Sequence, residues 1–146
     1  MLNKIIDRYK SVRKNGVLKS HSDHQFAFIG VGQHSLSNLY PVLQYMGIRL
    51  KYVYSRSEET AQLAGERFHC TGTTKINDIL KDEEVKGVFI CSAPQAHFEL
   101  TKKALSAGKD VFVEKPPCFT LTELNELEAL SKDSVIQVGL QKRYAE

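Results

Sequence analysis

The chain has 146 residues, of which 42% are hydrophobic and 25% charged, as is typical of one globular domain with a core of its own. Its formal net charge is +3, but the first 19 residues contain six basic side chains and one acidic side chain, so the remainder is slightly acidic. The basicity belongs to the start of the chain, and we therefore expect no nucleic acid partner. No apolar run approaches the roughly 20 residues of a membrane-spanning helix, so we expect no membrane partner either.

The first part of the chain predicts a short basic helix. Apolar residues recur there at helical spacing: Leu2, Ile5, Ile6, Tyr9 and Val12. A polar loop follows, with an Asn15-Gly16 turn signal and two histidines, His21 and His24, that lack a third metal ligand nearby. We therefore interpret residues 1–24 as an amphipathic arm and loop, residues 25–146 as one folded domain, and expect no metal site.

From Gln25 onward, short apolar runs alternate with stretches of helical periodicity. The clearest apolar runs are Phe26 to Ile29, Leu50 to Tyr54, Val88 to Cys91, Val111 to Val113 and Val135 to Val138. Strands that alternate with helices predict βαβ units. The expected fold class is α/β, with a doubly wound parallel sheet of about six strands and helices on both faces.

The first helix should follow the first strand and end at Gly47, with Pro41 kinking or shifting its first turns. Its apolar face is expected to consist of Leu36, Leu39, Tyr40 and Leu43. Ser57 is placed to cap the next helix. A later helix should begin near Pro94 and end at Gly108.

The last helix has the spacing of a capping box, with Thr120 followed three residues later by Glu123. Leucines recur along it at positions that we interpret as core: Leu121, Leu124, Leu127 and Leu130.

The first strand leads directly into the sequence GVGQHS. Gly30 and Gly32 occupy the first two glycine positions of a G-x-G-x-x-G turn, and Ser35 stands at the third. Such a turn lets the backbone approach a pyrophosphate closely, while the third position needs mainly a small residue. A pair of glycines is weak evidence alone, but its place after the first strand of a βαβ series favours a dinucleotide site over a plain turn.

Two polar residues, Ser55 and Arg56, follow the second strand. An acidic residue at this place commonly binds the adenosine ribose of NAD, whereas a hydroxyl and a guanidinium suit a 2′-phosphate. We therefore favour NADP, with NAD as the alternative. In that alternative Arg56 is a solvated residue and Glu58 or Glu59 contacts the ribose.

Two further stretches end at the same edge of the predicted sheet. Ser92 to Pro94 follow the fourth strand at the switch point of the topology, where open α/β sheets bind ligands, and His97 lies in the first turn of the next helix. His97 could equally be a structural residue. Lys115 ends the fifth strand in the sequence VFVEKPP, where a lysine can donate to a ribose or stabilise charge on a substrate oxygen. The alternative is a solvated loop lysine.

Together these blocks resemble the glucose-fructose oxidoreductase and inositol dehydrogenase family of nucleotide-dependent sugar and polyol oxidoreductases. The resemblance covers Phe26 to about Tyr144, and its most specific block is VFICSAPQAHFELTKKALSAGKDVFVEKPP. It implies a Rossmann-type fold that binds NAD(P), with Lys115 beside nicotinamide and substrate and with Glu114 related to cofactor or structure. In such enzymes the substrate alcohol loses hydride to the nicotinamide while a base takes the hydroxyl proton.

In the family, that base and most of the substrate pocket belong to a second domain, and this chain stops where the second domain would begin. We therefore expect a fragment of a longer enzyme, inactive alone, whose substrate is a small sugar or polyol. The second domain's sheet often forms the subunit interface, so the resemblance allows a homo-oligomer. The alternative is a non-catalytic module that binds nicotinamide nucleotides or a protein partner.

Three cysteines, Cys70, Cys91 and Cys118, lie far apart and form no C-x-x-C pair. Their odd number and spacing argue against a disulfide framework and favour a reducing cytoplasm. We interpret all three as packed thiols.

Overall fold

In a computed structural model the described residues are 25–140, and the predicted basic arm and the last six residues lie outside them. The described part contains six β-strands. In chain order they are β1 (Gln25–Ile29), β2 (Leu50–Tyr54), β3 (Thr71–Thr73), β4 (Val85–Ile90), β5 (Asp110–Glu114) and β6 (Ile136–Gly139). All neighbouring strands pair in parallel, in the order β3-β2-β1-β4-β5-β6. The predicted fold class is confirmed, and this is the Rossmann order with its switch point between β1 and β4.

Helices connect the strands and cover both faces of the sheet. The α-helices among residues 25–140 are α1 (Tyr40–Tyr45), α2 (Glu58–Phe68), α3 (Ile76–Leu80), α4 (His97–Ser106) and α5 (Leu121–Leu130). Two buried clusters, one on each face, are built around Ile90 and Val113 and around Phe28 and Tyr40. No helix of this described part has the length and apolar character needed to span a membrane.

A π-helical turn, Ser35–Leu39, precedes α1 and is caused by Pro41. Proline has no N–H to donate, and its ring would collide with the carbonyl four residues back in a regular helix, so the chain widens by one residue per turn. The Tyr40 N–H accordingly donates to the Ser35 carbonyl, five residues earlier. The prediction that Pro41 shifts the first turns is confirmed. The predicted apolar face is wrong at Leu36, which is exposed, because the wider turn rotates it away from the buried Tyr40.

The two predicted helix caps are present. The Ser57 side chain accepts from the Thr60 N–H at the start of α2. At α5, Thr120 accepts from the Glu123 N–H, and the Glu123 carboxylate accepts from the Thr120 N–H, which completes the capping box.

The prediction that all four leucines of α5 belong to the core is wrong. Leu127 is buried, but Leu121 and Leu124 are 72% and 46% exposed. The reason is that only one face of α5 packs against the protein. A spacing of three residues is shorter than a helical turn, so the leucines at the start of the helix, Leu121 and Leu124, lie outside that face. Phe119 and Leu124 stand at the two positions that form a hydrophobic staple where such a staple is present, but both side chains are exposed.

The shortest strand, β3, has no apolar run, and its place could not be read from the sequence. It lies directly against α2, where two glycines make the contact. A Cβ at Gly72 would stand 2.1 Å from the Ala61 carbonyl oxygen, and one at Gly65 would stand 2.7 Å from the Gly72 nitrogen. Both obstacles are backbone atoms, so neither can move aside as a side chain would.

We predict that Gly72→Ala lowers the free energy of unfolding by about 1–3 kcal/mol, the usual cost of forcing extra volume into a packed region. Gly32→Ala is the matched control, because no atom lies within 4 Å of a Cβ built there. Urea denaturation of both variants measures the difference, and equal stabilities would contradict the proposed packing of α2 on β3.

Candidate functional site

The carboxyl edge of the sheet borders a cavity of about 580 Å³, and every candidate site residue predicted from the sequence lines it. These residues lie at or after the carboxyl ends of four strands, β1, β2, β4 and β5: Gly30, Gly32, Ser35, Ser55, Arg56, Ser92, Pro94, His97, Glu114 and Lys115. The topology explains their convergence, since parallel strands bring their carboxyl ends to one edge.

The glycine-rich turn lies on the end of β4. Gly30 has a φ of +111°, and a Cβ there would stand 2.2 Å from the Cys91 carbonyl oxygen, so only glycine fits. Gly32, in contrast, borders open space. The turn is therefore pressed against the protein at Gly30 and leaves room for a ligand at Gly32.

Ser35, at the third glycine position, is fully buried beneath this turn. Its hydroxyl accepts from the Gly32 N–H at 2.9 Å and lies 2.8 Å from the Gly32 carbonyl oxygen, to which it can donate. Serine therefore provides the small side chain that the position needs and also closes the turn with hydrogen bonds.

Ser55 and Arg56 lie at the far end of the cavity, after β2. Arg56 is exposed, and its guanidinium has no hydrogen bond or ion pair within residues 25–140. Glu58, an alternative ribose ligand, instead accepts from the Thr74 hydroxyl at 3.2 Å. Among the described residues, the Arg56 guanidinium is thus unpaired where the adenosine ribose is expected, and one of the two competing carboxylates is hydrogen-bonded to the protein.

His97 joins the two loops at the other end of the cavity. Its ring is 1% exposed, with Nδ1 2.8 Å from the Pro116 carbonyl oxygen and Nε2 3.1 Å from the Ser92 carbonyl oxygen. Each ring nitrogen therefore lies within hydrogen-bond distance of a backbone carbonyl oxygen, and the nitrogen that carries the proton donates to it. The imidazole connects the turn after β4 to the loop after β5 and has no nitrogen free for a ligand.

Lys115 is exposed at the end of β5, and its ammonium has no hydrogen bond or ion pair in the described part of the chain. The following peptide bond, to Pro116, is cis. Glu114 is the opposite case: it is 6% exposed and its carboxylate accepts from the Lys115 N–H at 3.3 Å. Of the two neighbours, the lysine is the one that faces the open cavity.

The cysteines are poorly suited to nucleophilic chemistry. Burial raises the pKa of Cys91, which borders the cavity, to about 11, and the nearby Glu114 charge adds to this effect. Burial alone raises the pKa of Cys70 to about 11. The Cys118 pKa is raised by burial and then by the Glu123 charge. Within residues 25–140 there is also no group of three potential metal ligands.

Some lining residues had no predicted role: Val31, Tyr54, Ala96, Leu100 and His34. The positions of all but Leu100 carried a signal, because each of the others stands next to a predicted glycine turn, strand end or helix start. The sequence did not show the contact between His34 and Glu114, because these two residues are 80 positions apart.

The family model described as an oxidoreductase family with an NAD-binding Rossmann fold matches residues 24–140. The chain belongs to this family, and its described part is the NAD-binding domain; the resemblance inferred from the sequence is confirmed. This match does not favour the alternative of a non-catalytic module.

Individual relatives are also oxidoreductases. The chain is 33% identical over 114 residues to the uncharacterized oxidoreductase YhhX of Escherichia coli, covering 77% of this chain and 33% of that protein. It is 32% identical to an inositol 2-dehydrogenase/D-chiro-inositol 3-dehydrogenase of Lacticaseibacillus casei, covering 67% and 30%. The crystal structure of an oxidoreductase from Bacillus cereus superposes with a TM-score of 0.73 at 34% identity, covering 83% and 36%. The chain thus spans about a third of the length of the curated relatives it matches.

We predict that Cys70 and Cys91 react slowly with iodoacetamide at neutral pH and that their rates rise toward a midpoint near pH 11, because the thiolate is the reactive form. Mass spectrometry of peptides after timed alkylation measures each rate. A midpoint below pH 8 at Cys91 would contradict the geometry of its burial beside Glu114.

Proposed function

We propose that this chain is the cofactor domain of an NADP(H)-dependent oxidoreductase that interconverts an alcohol and a carbonyl group on a sugar-like or polyol substrate. The observation that carries the proposal is the arrangement of one cavity: an open glycine turn in the middle, with a guanidinium at one end and an ammonium at the other that have no partner among residues 25–140. Family membership and the polyol relative support the reaction class.

The residues present fit a nicotinamide dinucleotide. The space over Gly32 would take the pyrophosphate, which the first backbone N–H groups of the helix can bind because they lack intrahelical partners. Ser55 and Arg56 would hold the adenosine ribose, while Ser92 and Pro94 would lie against the nicotinamide half. When bound, the cofactor accepts or returns a hydride at its nicotinamide ring.

Lys115 is the residue that we assign to the chemistry. Its ammonium would donate to the substrate oxygen and stabilise the negative charge that builds on that oxygen as the hydride leaves the neighbouring carbon. Ser35 and His97 would support the site from beneath, through the hydrogen bonds described above. We place the general base outside this chain, in a second domain of a longer protein, since the matched stretch covers only 33% of the Escherichia coli relative.

The preference for NADP rests on Arg56. A 2′-phosphate would gain charge-assisted hydrogen bonds from the guanidinium, in a cavity that Arg56 lines and Glu58 and Glu59 do not. We also propose a small sugar or polyol as the substrate and no nucleic acid partner. The three free thiols favour a reducing cytoplasm as the location of the protein.

A direct test is titration of the purified chain with NADPH and NADH, followed by nicotinamide fluorescence and by melting temperature. We expect NADPH to bind and to stabilise the fold. Gly32→Ala should retain the stability of the free protein and bind NADPH at least tenfold more weakly, since its Cβ would enter the pyrophosphate space. A response to neither nucleotide would overturn the proposal.

Arg56→Ala should weaken NADPH binding by roughly 10- to 100-fold, the range for a lost hydrogen bond to a charged group, and leave NADH binding nearly unchanged. Arg67→Ala is the matched control, because Arg67 is an exposed arginine in the last turn of α2 and does not line the cavity. Equal losses for the two nucleotides would remove the basis for NADP preference.

A further inference from the structure

A contact between Glu114 and His34 crosses the cavity edge. His34 stands at the start of the helix that follows β1, and Glu114 ends β5. In the sheet these two strands are separated by β4, so the contact bridges the end of an intervening strand. His34 Nε2 lies 3.6 Å from Glu114 Oε1, which is longer than a hydrogen bond but within the distance at which a ring N–H and a carboxylate attract each other weakly.

The orientation of His34 is fixed by Asn38. The Asn38 side-chain amide nitrogen lies 3.1 Å from His34 Nδ1 and 3.2 Å from the His34 carbonyl oxygen. An amide NH₂ group only donates, so Nδ1 must accept, and the single proton of a neutral imidazole is then on Nε2. The N–H therefore points at the Glu114 carboxylate.

The carboxylate is enclosed on its other sides. Its Oε2 accepts from the Lys115 N–H, and a Cβ built on Gly139 of β6 would stand 2.9 Å from Oε1. Glu114 thus lies over a glycine of the neighbouring strand, faces His34 and holds the backbone of the next residue. With 6% of its surface exposed, it has little left to offer a ligand.

We propose that His34 and Glu114 form a positioning pair that fixes the backbone of Lys115 relative to the glycine-rich turn. In this assignment Glu114 is not a cofactor ligand: its charge orients the lysine that follows it. The inference deepens the proposed function and rests on it for the role of Lys115. It adds His34, which the glycine motif does not specify, as the residue that links the pyrophosphate turn to the end of β5.

Hydrogen exchange of the Lys115 amide in the free protein, followed by NMR, tests the pair. His34→Phe keeps an aromatic ring and removes the donor, and we expect Lys115 exchange to rise by up to about fivefold, the scale of a weak, partly exposed contact with a charged group. His34→Gln places an amide N–H near the position of Nε2 and should restore exchange to within about twofold of the original. Gly139→Ala should also raise exchange, since its Cβ displaces the carboxylate.

The amides of Val88 and Ile90 in β4 serve as internal controls, and ¹⁵N spectra of His34 should show the proton on Nε2. Unchanged Lys115 exchange in His34→Phe would overturn the inference, as would an equal rise at Val88 and Ile90 or a failure of His34→Gln to rescue. These readouts need no nucleotide. If the exchange pattern appears but neither nucleotide binds, the proposed function fails while the pairing of His34 with Glu114 stands.

Discussion

The close approach of Gly30 to the Cys91 carbonyl is the constraint on which the site depends. Only a residue without a Cβ lets the turn after β1 settle on the end of β4, and the Cys91 N–H donates to the Ile29 carbonyl just beside it. Because these two strands form the switch point, the contact decides where the cavity opens. Ser35 then closes the turn from below, and Gly32 is left facing outward.

The polar groups of this edge are divided between those bonded to the protein and those left free. His97 and Glu114 are buried and engaged with backbone atoms, so they act on the loops that carry other residues. Arg56 and Lys115 are exposed and lack partners among residues 25–140. A structure that used all its polar groups internally would have nothing to offer a ligand, and this division is what distinguishes candidate ligands from supporting residues.

Features that depend on local chemistry could be predicted from the sequence. Short-range rules were enough to predict the capping box at Thr120, the cap at Ser57 and the glycine turn. The alternation of strands and helices was enough to predict the fold class and the meeting of the site residues at one edge of the sheet. Features that depend on distant partners could not. The sequence does not show that the wide turn before Pro41 exposes Leu36, that α5 buries Leu127 but not Leu121, or that His34 meets a carboxylate 80 positions away.

Two lysines flank β5, and their surroundings show why only one is available for chemistry. Lys109 precedes the strand at the amino edge of the sheet, where its ammonium donates to the carbonyl oxygens of Asp82 and Val85 at 2.7 and 2.8 Å. It is buried, and burial lowers its pKa. Lys115 follows the same strand at the opposite edge, exposed to the cavity. The two ends of a strand in a parallel sheet lie in different environments. A lysine at the amino end of β5 therefore links β5 to β4, whereas a lysine at its carboxyl end faces the ligand space.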